Sequence, residues 1–392
     1  MTSSHIQLLT QSTVFQSRPP AIQSLILELV EVLSSHPRGL SLPTLFHLVR
    51  SEGHHEPEWL GRELGRTLES CGVFRFNPER RFQLNSPELL ELPLTELPTV
   101  VIDLEATGGR PPLHRLIEVA LVRREPDGRE TSYVSLANPK RPLPWFISKM
   151  TGLTARQVRE APPIDRVMDD LLPYLNGALL VFHGSGLDTE LLNYEVHRRT
   201  GTLLDNPILC TIALTRELEP DLTTMGLDRV AAHLGIPVGS QHRAWNDTVM
   251  TLALYDRYQE RFAAKRFRLG VDAAFFQGKL PIPPFLRTNL SCDLIQGLPQ
   301  NRGAFVLYDE HHRVLVATGS TNLRQELSGL FFPEQSLDPT SKAIQRSARF
   351  LEYREETPSL TVDQALSEIM GSSDRRGRRG SRSRGAREIH LT

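Results

Sequence analysis

Thr99-Val100-Val101-Ile102-Asp103-Leu104-Glu105-Ala106-Thr107-Gly108 is an apolar run that closes on two carboxylates and a glycine. A short β-branched run ending in a charged side chain is how a buried strand delivers a group to a site. Asp103 and Glu105 stand two residues apart, so on a strand both project from the same face. Buried together, they repel unless a cation sits between them. Magnesium suits such a pair, because it takes hard oxygen ligands and keeps waters for other partners. The Asp-x-Glu pattern alone is common on solvated strands, so its meaning depends on the rest of the chain.

Around this run, residues 117–123 and 131–136 read as further strands, and 178–182 as another. Helical spacing recurs at 154–158, 164–175, 188–200, 227–234 and 247–262. Strands first, then helices interleaved with a strand, describe an α/β domain with a mixed sheet covered by helices. Two more acidic positions stand out in that frame. Asp188 closes the segment LLVFHGSGLD at the opening of a helix, and Asp247 follows His242 by five residues in HRAWND.

Taken in order, these segments resemble the DEDDh exonuclease family, which includes the epsilon subunit of bacterial DNA polymerase III, ribonuclease T and oligoribonuclease. The first motif is Asp103-Leu104-Glu105-Ala106-Thr107-Gly108, the second ends on Asp188, and the third is His242 with Asp247. Met150-Thr151-Gly152-Leu153-Thr154, Leu209-Cys210-Thr211 and the stretch 226–236 agree as intermediate landmarks, so the match covers about residues 99–262. The resemblance implies a ribonuclease H-like fold and a 3′→5′ exonuclease acting on single-stranded DNA 3′ ends. It implies that Asp103, Glu105, Asp188 and Asp247 hold two divalent ions, Mg²⁺ or Mn²⁺. One ion lowers the pKa of the attacking water and the other stabilises the leaving 3′ oxygen. His242 is the general base, a task suited to a group titrating near neutrality. Leu104, Ala106 and Thr107 are the expected substrate-binding residues beside the ligands. The family places His-Asn and Phe before its second-motif aspartate, where this chain has His183-Gly184 and Leu187. Packing around the terminal nucleotide is therefore expected to differ. His114, His183, His197 and His233 read as structural or surface groups, and Asp205, Asp221 and Asp228 as turn or capping residues.

The flanks suggest further modules. Residues 1–19 read as a flexible lead-in, and 20–86 as three helices and a hairpin, a winged-helix-like domain able to contact DNA or dock a protein. Residues 87–98 and 263–289 read as linkers. A small C-terminal α+β domain is expected at 290–370. Residues 298–332 within it resemble the GIY-YIG domain of the bacterial excision-repair incision subunit. There the family's two tyrosines fall at Phe305 and Val316, its glycine at Thr318 and its arginine at Glu326, while Glu368 is a candidate for its metal-binding glutamate. The resemblance thus implies a nuclease fold without its chemistry. Residues 371–392, rich in arginine, read as a disordered tail able to hold phosphates.

Length and composition bound the rest. The 392 residues exceed one ordinary domain, and 39% hydrophobic with 23% charged residues is a globular balance. A net charge of −1 means that any basic surface must be local. Three scattered cysteines exclude a disulfide framework or a zinc site and fit a reducing cytoplasm. No stretch is long and apolar enough to span a bilayer, so no membrane partner is expected. DNA polymerase or repair proteins are the expected partners, with RNA as a further possible substrate. Two other readings stay open, an RNA-trimming nuclease and a nucleic-acid-binding scaffold without turnover.

Overall fold

The computed structural model describes residues 4–51, 54–79, 81–112, 114–238, 243–265, 267–278, 280, 298–309, 313–331, 338–358, 360–376 and 387–390. It divides into two compact units. One is Met1–Gly108 with His114–Ile282, and the other is Gly109–Leu113 with Pro283–Thr392.

The first unit opens with helices α1 (Ser4–Gln11), α2 (Thr13–Gln16), α3 (Pro20–Ser34), α4 (Leu42–Ser51) and α5 (Pro57–Ser70). The apolar stripe Leu25, Ile26, Leu29, Val30 and Leu33 of α3 is buried, as its helical period requires. Strands β1 (Phe74–Phe76) and β2 (Phe82–Leu84) form an antiparallel pair in the register Phe74 opposite Leu84.

Three expectations for the connecting segments are corrected here. Of the expected lead-in 1–19, residues 4–19 are not loose: Leu8, Leu9, Val14 and Phe15 are buried, and each such side chain contributes about 1.5–3 kcal/mol. Residues 87–98 carry α6 (Pro87–Glu91), and Leu90, Leu94 and Leu97 reach the core at a spacing of four and three. Residues 267–278, expected in a linker, hold a short helix, α14 (Gly270–Ala274), whose five residues are all buried. Its Asp272 accepts hydrogen bonds from Ser12 Oγ at 2.6 Å and from the backbone N–H groups of Arg268 and Leu269. Ser12 and Asp272, which tie the first of these segments to the last, lie 260 residues apart in sequence.

The central sheet runs β5-β4-β3-β6-β7, from β3 (Thr99–Ala106), β4 (Leu116–Arg124), β5 (Glu130–Leu136), β6 (Leu179–Phe182) and β7 (Ile208–Cys210). β3 pairs antiparallel with β4 and parallel with β6, so the sheet is mixed. Val100, Ile102 and Leu104 of β3 face one core with α9 (Ile164–Leu175) and α10 (Ser185–Thr200). Val101 faces the other core with Met250, Leu254 and Tyr255 of α13 (Ala244–Lys265). Alternation therefore aims Asp103 and Glu105 at the α13 side. Helix α7 (Trp145–Thr151), α8 (Ala155–Glu160), α11 (Thr211–Leu218) and α12 (Leu227–His233) complete the unit.

The second unit is a four-stranded sheet in the order β11-β10-β8-β9, from β8 (Gly303–Tyr308), β9 (Val314–Ser320), β10 (Phe350–Glu355) and β11 (Arg387–His390). Phe305 and Leu307 pack towards the helix Leu323–Phe331, and Ala304, Val306 and Tyr308 towards the helix Val362–Arg376. The expectation of disorder from 371 is corrected at both ends of that segment. The helix continues to Arg376, and Arg387–His390 pairs antiparallel with β10, supplying the backbone partners that this edge needs. Residues 377–386 lie outside the described residues. Among the described residues, no helix is long and apolar enough to cross a membrane.

Candidate active site

Asp103 and Glu105 lie near the end of β3, where the β4 register shifts between Glu105 and Ala106. Asp247 comes from the first turn of α13, which packs on β3 and β4. Carboxylate oxygens of Asp103, Glu105 and Asp247 all lie within 4.8 Å of one another. Glu105 is buried, and the other two are half-buried.

The electrostatics follow from that crowding. Burial, followed by the charges of Asp188, Glu105, Asp247 and Glu118, raises the Asp103 carboxyl well above the usual range. Burial also pushes Glu105 up to about 8, with Asp247, Glu118 and Asp188 adding to the effect and Arg243 opposing it. Asp188, in the first turn of α10, is pushed up to about 7 by burial. It stands outside the 4.8 Å group yet close enough for its charge to act on both β3 carboxylates. A set of hard oxygen donors whose charges raise one another's proton affinity fits a small divalent cation.

Two anchors hold the helices that carry these groups. Glu118, at 1% exposure, lies directly opposite Glu105 in the β3–β4 register. It accepts from Arg243 Nη2 at 2.8 Å, from Arg243 Nε at 3.2 Å and from the Ala244 N–H at 3.3 Å. Thr248 Oγ donates to the Ala120 carbonyl at 3.1 Å, so the first turn of α13 is fastened to β4 at two points. The start of α10 is braced differently: Ser185 Oγ donates to the Gln277 carbonyl at 2.7 Å, and the Cys210 N–H donates to the Phe276 carbonyl. Gln277 Nε2 in turn donates to the Glu69 carbonyl at the end of α5, and the Gly72 N–H to that of Ala274. Residues 274–278 thus strap the N-terminal helices to the helix that carries Asp188.

The structure brings Asp103, Glu105 and Asp247 together with Asp188 beside them. His242 lies outside the described residues. Thr107 is buried, and its Oγ accepts from the Arg115 N–H at 3.0 Å and lies 3.5 Å from His114 Nδ1. Ala106 is half-buried at the strand end and packs against the same core as Leu104. Leu104 departs from the sequence expectation: at 7% exposure it packs in the core of the opposite face, because its place between two same-face carboxylates points it away from them. His183 bridges Thr211 Oγ and the Met225 carbonyl, both at 2.8 Å, which fits its structural reading. Sequence reasoning missed Glu118 and Arg243. The signal was available, since Glu118 is the one charged residue in the otherwise apolar run 116–122.

Residues 100–255 match the family described as exonuclease. DNA polymerase III subunit epsilon of Aquifex aeolicus (strain VF5) is 30% identical over 161 residues, 41% of this chain and 80% of that protein. The PolC-type DNA polymerase III of Clostridium perfringens (strain 13 / Type A) is 30% identical over 173 residues, which is 44% of this chain but 12% of that polymerase. Among solved structures, exonuclease X in complex with 5′ overhanging duplex DNA is 22% identical with a TM-score of 0.35, covering 45% of this chain and 99% of that one.

Proposed function

This chain belongs to the exonuclease family of the DEDDh type, and from that premise we propose that it removes nucleotides from the 3′ ends of single-stranded DNA. The observation that carries this reading is the convergence of Asp103, Glu105 and Asp247 within 4.8 Å, with the charge of Asp188 acting on the first two. In this reading the four carboxylates hold two divalent ions, which when bound supply charge neutralisation at the scissile phosphate and acidify water. His242, five residues before Asp247, takes the proton of the attacking water. Glu118 and Arg243 keep the first turn of α13, and with it Asp247, against β3. Thr107 bounds the pocket for the terminal nucleotide, and Leu104 and Ala106 support it from the core side.

The epsilon and PolC-type relatives support work beside a DNA polymerase, in replication or repair. The helices and hairpin before β3 serve as a winged-helix-like docking element, and the second unit as a GIY-YIG-like fold kept for binding. Glu368, the candidate metal ligand of that fold, is ion-paired with Arg354, which fits a silent site. The buried free thiols of Cys71 and Cys210 agree with a cytoplasmic setting.

The test is release of label from 3′-labelled single-stranded DNA and RNA, with magnesium, with manganese or with chelator, beside Asp103→Ala. Metal-dependent loss of the DNA label, abolished by the substitution, is expected. Equal release by wild type and variant would remove the site. Preference for RNA would replace the substrate, and binding without release would leave a scaffold.

A further inference from the structure

Helix α7 is amphipathic in an unusual sense. Ile147 and Thr151, one turn apart, are buried, and Ile147 packs with Ile117, Leu153 and Val158. The opposite face presents Trp145 and Phe146 at 75% and 50% exposure, with Lys149 one turn beyond Trp145. The two rings stand edge to face with centroids 6.4 Å apart. Two large aromatics on solvent, side by side on one short helix, form a patch that ordinary folding leaves unexplained.

The surrounding charge says what fits it. Residues 137–159 contain Lys140, Arg141, Lys149, Arg156 and Arg159 and no acidic residue, and the next residue, Glu160, is ion-paired with Arg156, in a chain whose net charge is −1. Aromatic faces interleaved with cations suit a ligand that alternates planar bases with phosphates, and do not suit an apolar peptide. The location agrees. Ile117, on which α7 packs, precedes Glu118, and Glu118 lies opposite Glu105. Helix α7 therefore packs at the end of the sheet that carries the carboxylates.

We propose that the exposed face of α7 is a track for single-stranded DNA, on which bases a few nucleotides behind the 3′ terminus stack against Trp145 and Phe146 while Lys149 neutralises the backbone. This rests on the exonuclease reading above and adds to it a preference for strands long enough to reach α7.

The test compares a dinucleotide with a ten-nucleotide single-stranded DNA, using the whole protein and the double variant Trp145→Ala/Phe146→Ala. Turnover of both is measured with magnesium, and affinity for the fluorescent decamer is measured by anisotropy in chelator. The wild-type preference for the decamer over the dinucleotide should fall by about ten-fold or more, with a matching rise in the decamer Kd. Lys149→Gln should lower the salt slope of decamer binding by about 0.7, one phosphate contact. An unchanged preference, an unchanged Kd or an unchanged salt slope overturns the track. Loss of affinity for an RNA decamer with none for DNA assigns the face to RNA instead. If the wild-type protein degrades neither substrate, the exonuclease reading fails, whereas the anisotropy result still decides whether α7 holds a strand.

Discussion

Both units build a sheet with acidic residues near its strands, and three acids of the second unit are treated unlike the clustered acids of the first. In the second unit, Asp309 is matched by Arg313, Glu356 by Arg302 and Glu368 by Arg354, each within one ion pair. In the first unit, Asp103, Glu105 and Asp247 are arranged around one another, and their protonation is shifted upward by burial and by their neighbours' charges. Nearby acids in that same unit do receive cations: Glu195 is gripped by Arg115 at 2.6 Å and Glu118 by Arg243. The contrast separates carboxylates that fasten the fold from carboxylates that tolerate repulsion for another purpose. Sites that need a strained charge set are expected to be less stable than the fold could make them.

The largest test of that contrast is Asp103→Asn. It should cut turnover by at least about a thousand-fold, since metal-held charge stabilisation is worth several kcal/mol. In chelator at pH 8 the same variant should melt higher, by about 2–4 °C for each kcal/mol of repulsion removed. The sign follows from Glu105, whose carboxyl is raised from 4.5 to about 8 in the folded protein. Below 4.5 both folded and unfolded states hold the proton. Between 4.5 and 8 only the folded state does, so metal-free stability falls as pH rises through that window. A melting temperature flat from pH 5 to pH 8 in chelator, or a variant that melts lower, breaks the comparison.

Glu118→Gln is the intermediate case. It leaves the β3 carboxylates in place but loosens the start of α13, and should lower turnover or metal affinity by about 10–100-fold. Manganese titration separates this from a purely structural loss: a weakened metal affinity with a nearly unchanged far-ultraviolet spectrum is the positioning result. Wild-type affinity in Glu118→Gln would show that Asp247 is held by other means. The smallest effect belongs to the second unit. Arg302→Ala with Glu356→Ala should shift stability by no more than about 1 kcal/mol, because Arg302 is mostly exposed, and should leave turnover untouched. A loss of turnover there would give that unit a part in the chemistry.

What the sequence carried was local. The run 99–106 announced a strand with two same-face acids, and the spacing between His242 and Asp247 placed an acid in the first turn of a helix. Strands β4, β5 and β6 and the helices α9 and α10 were legible from apolar period alone. What escaped was decided by distant partners. Leu8-Leu9 and Val14-Phe15 look like stray apolar pairs until α3, α6 and α14 join them in one core. The residues 267–278 follow no clean period, yet they are held by Ser12, Glu69, Gly72, Ser185 and Cys210. Leu104 was hard to read for the opposite reason, because it adjoins two acids in sequence although strand geometry turns it to the other face.

The strap at residues 274–278 also bears on how this protein can be divided. A nuclease module drawn from the sequence would be cut at residue 99 and closed near 262, discarding both the helices before β3 and the segment after α13. Such a fragment would keep Asp103, Glu105, Asp188 and Asp247 and lose the carbonyl that receives Ser185 and the one that receives the Cys210 N–H. The unit of inheritance, and of grafting into another protein, is therefore the whole stretch to residue 278. Its first helices travel with the central sheet as part of one body, and a swap that exchanges them must exchange the strap as well.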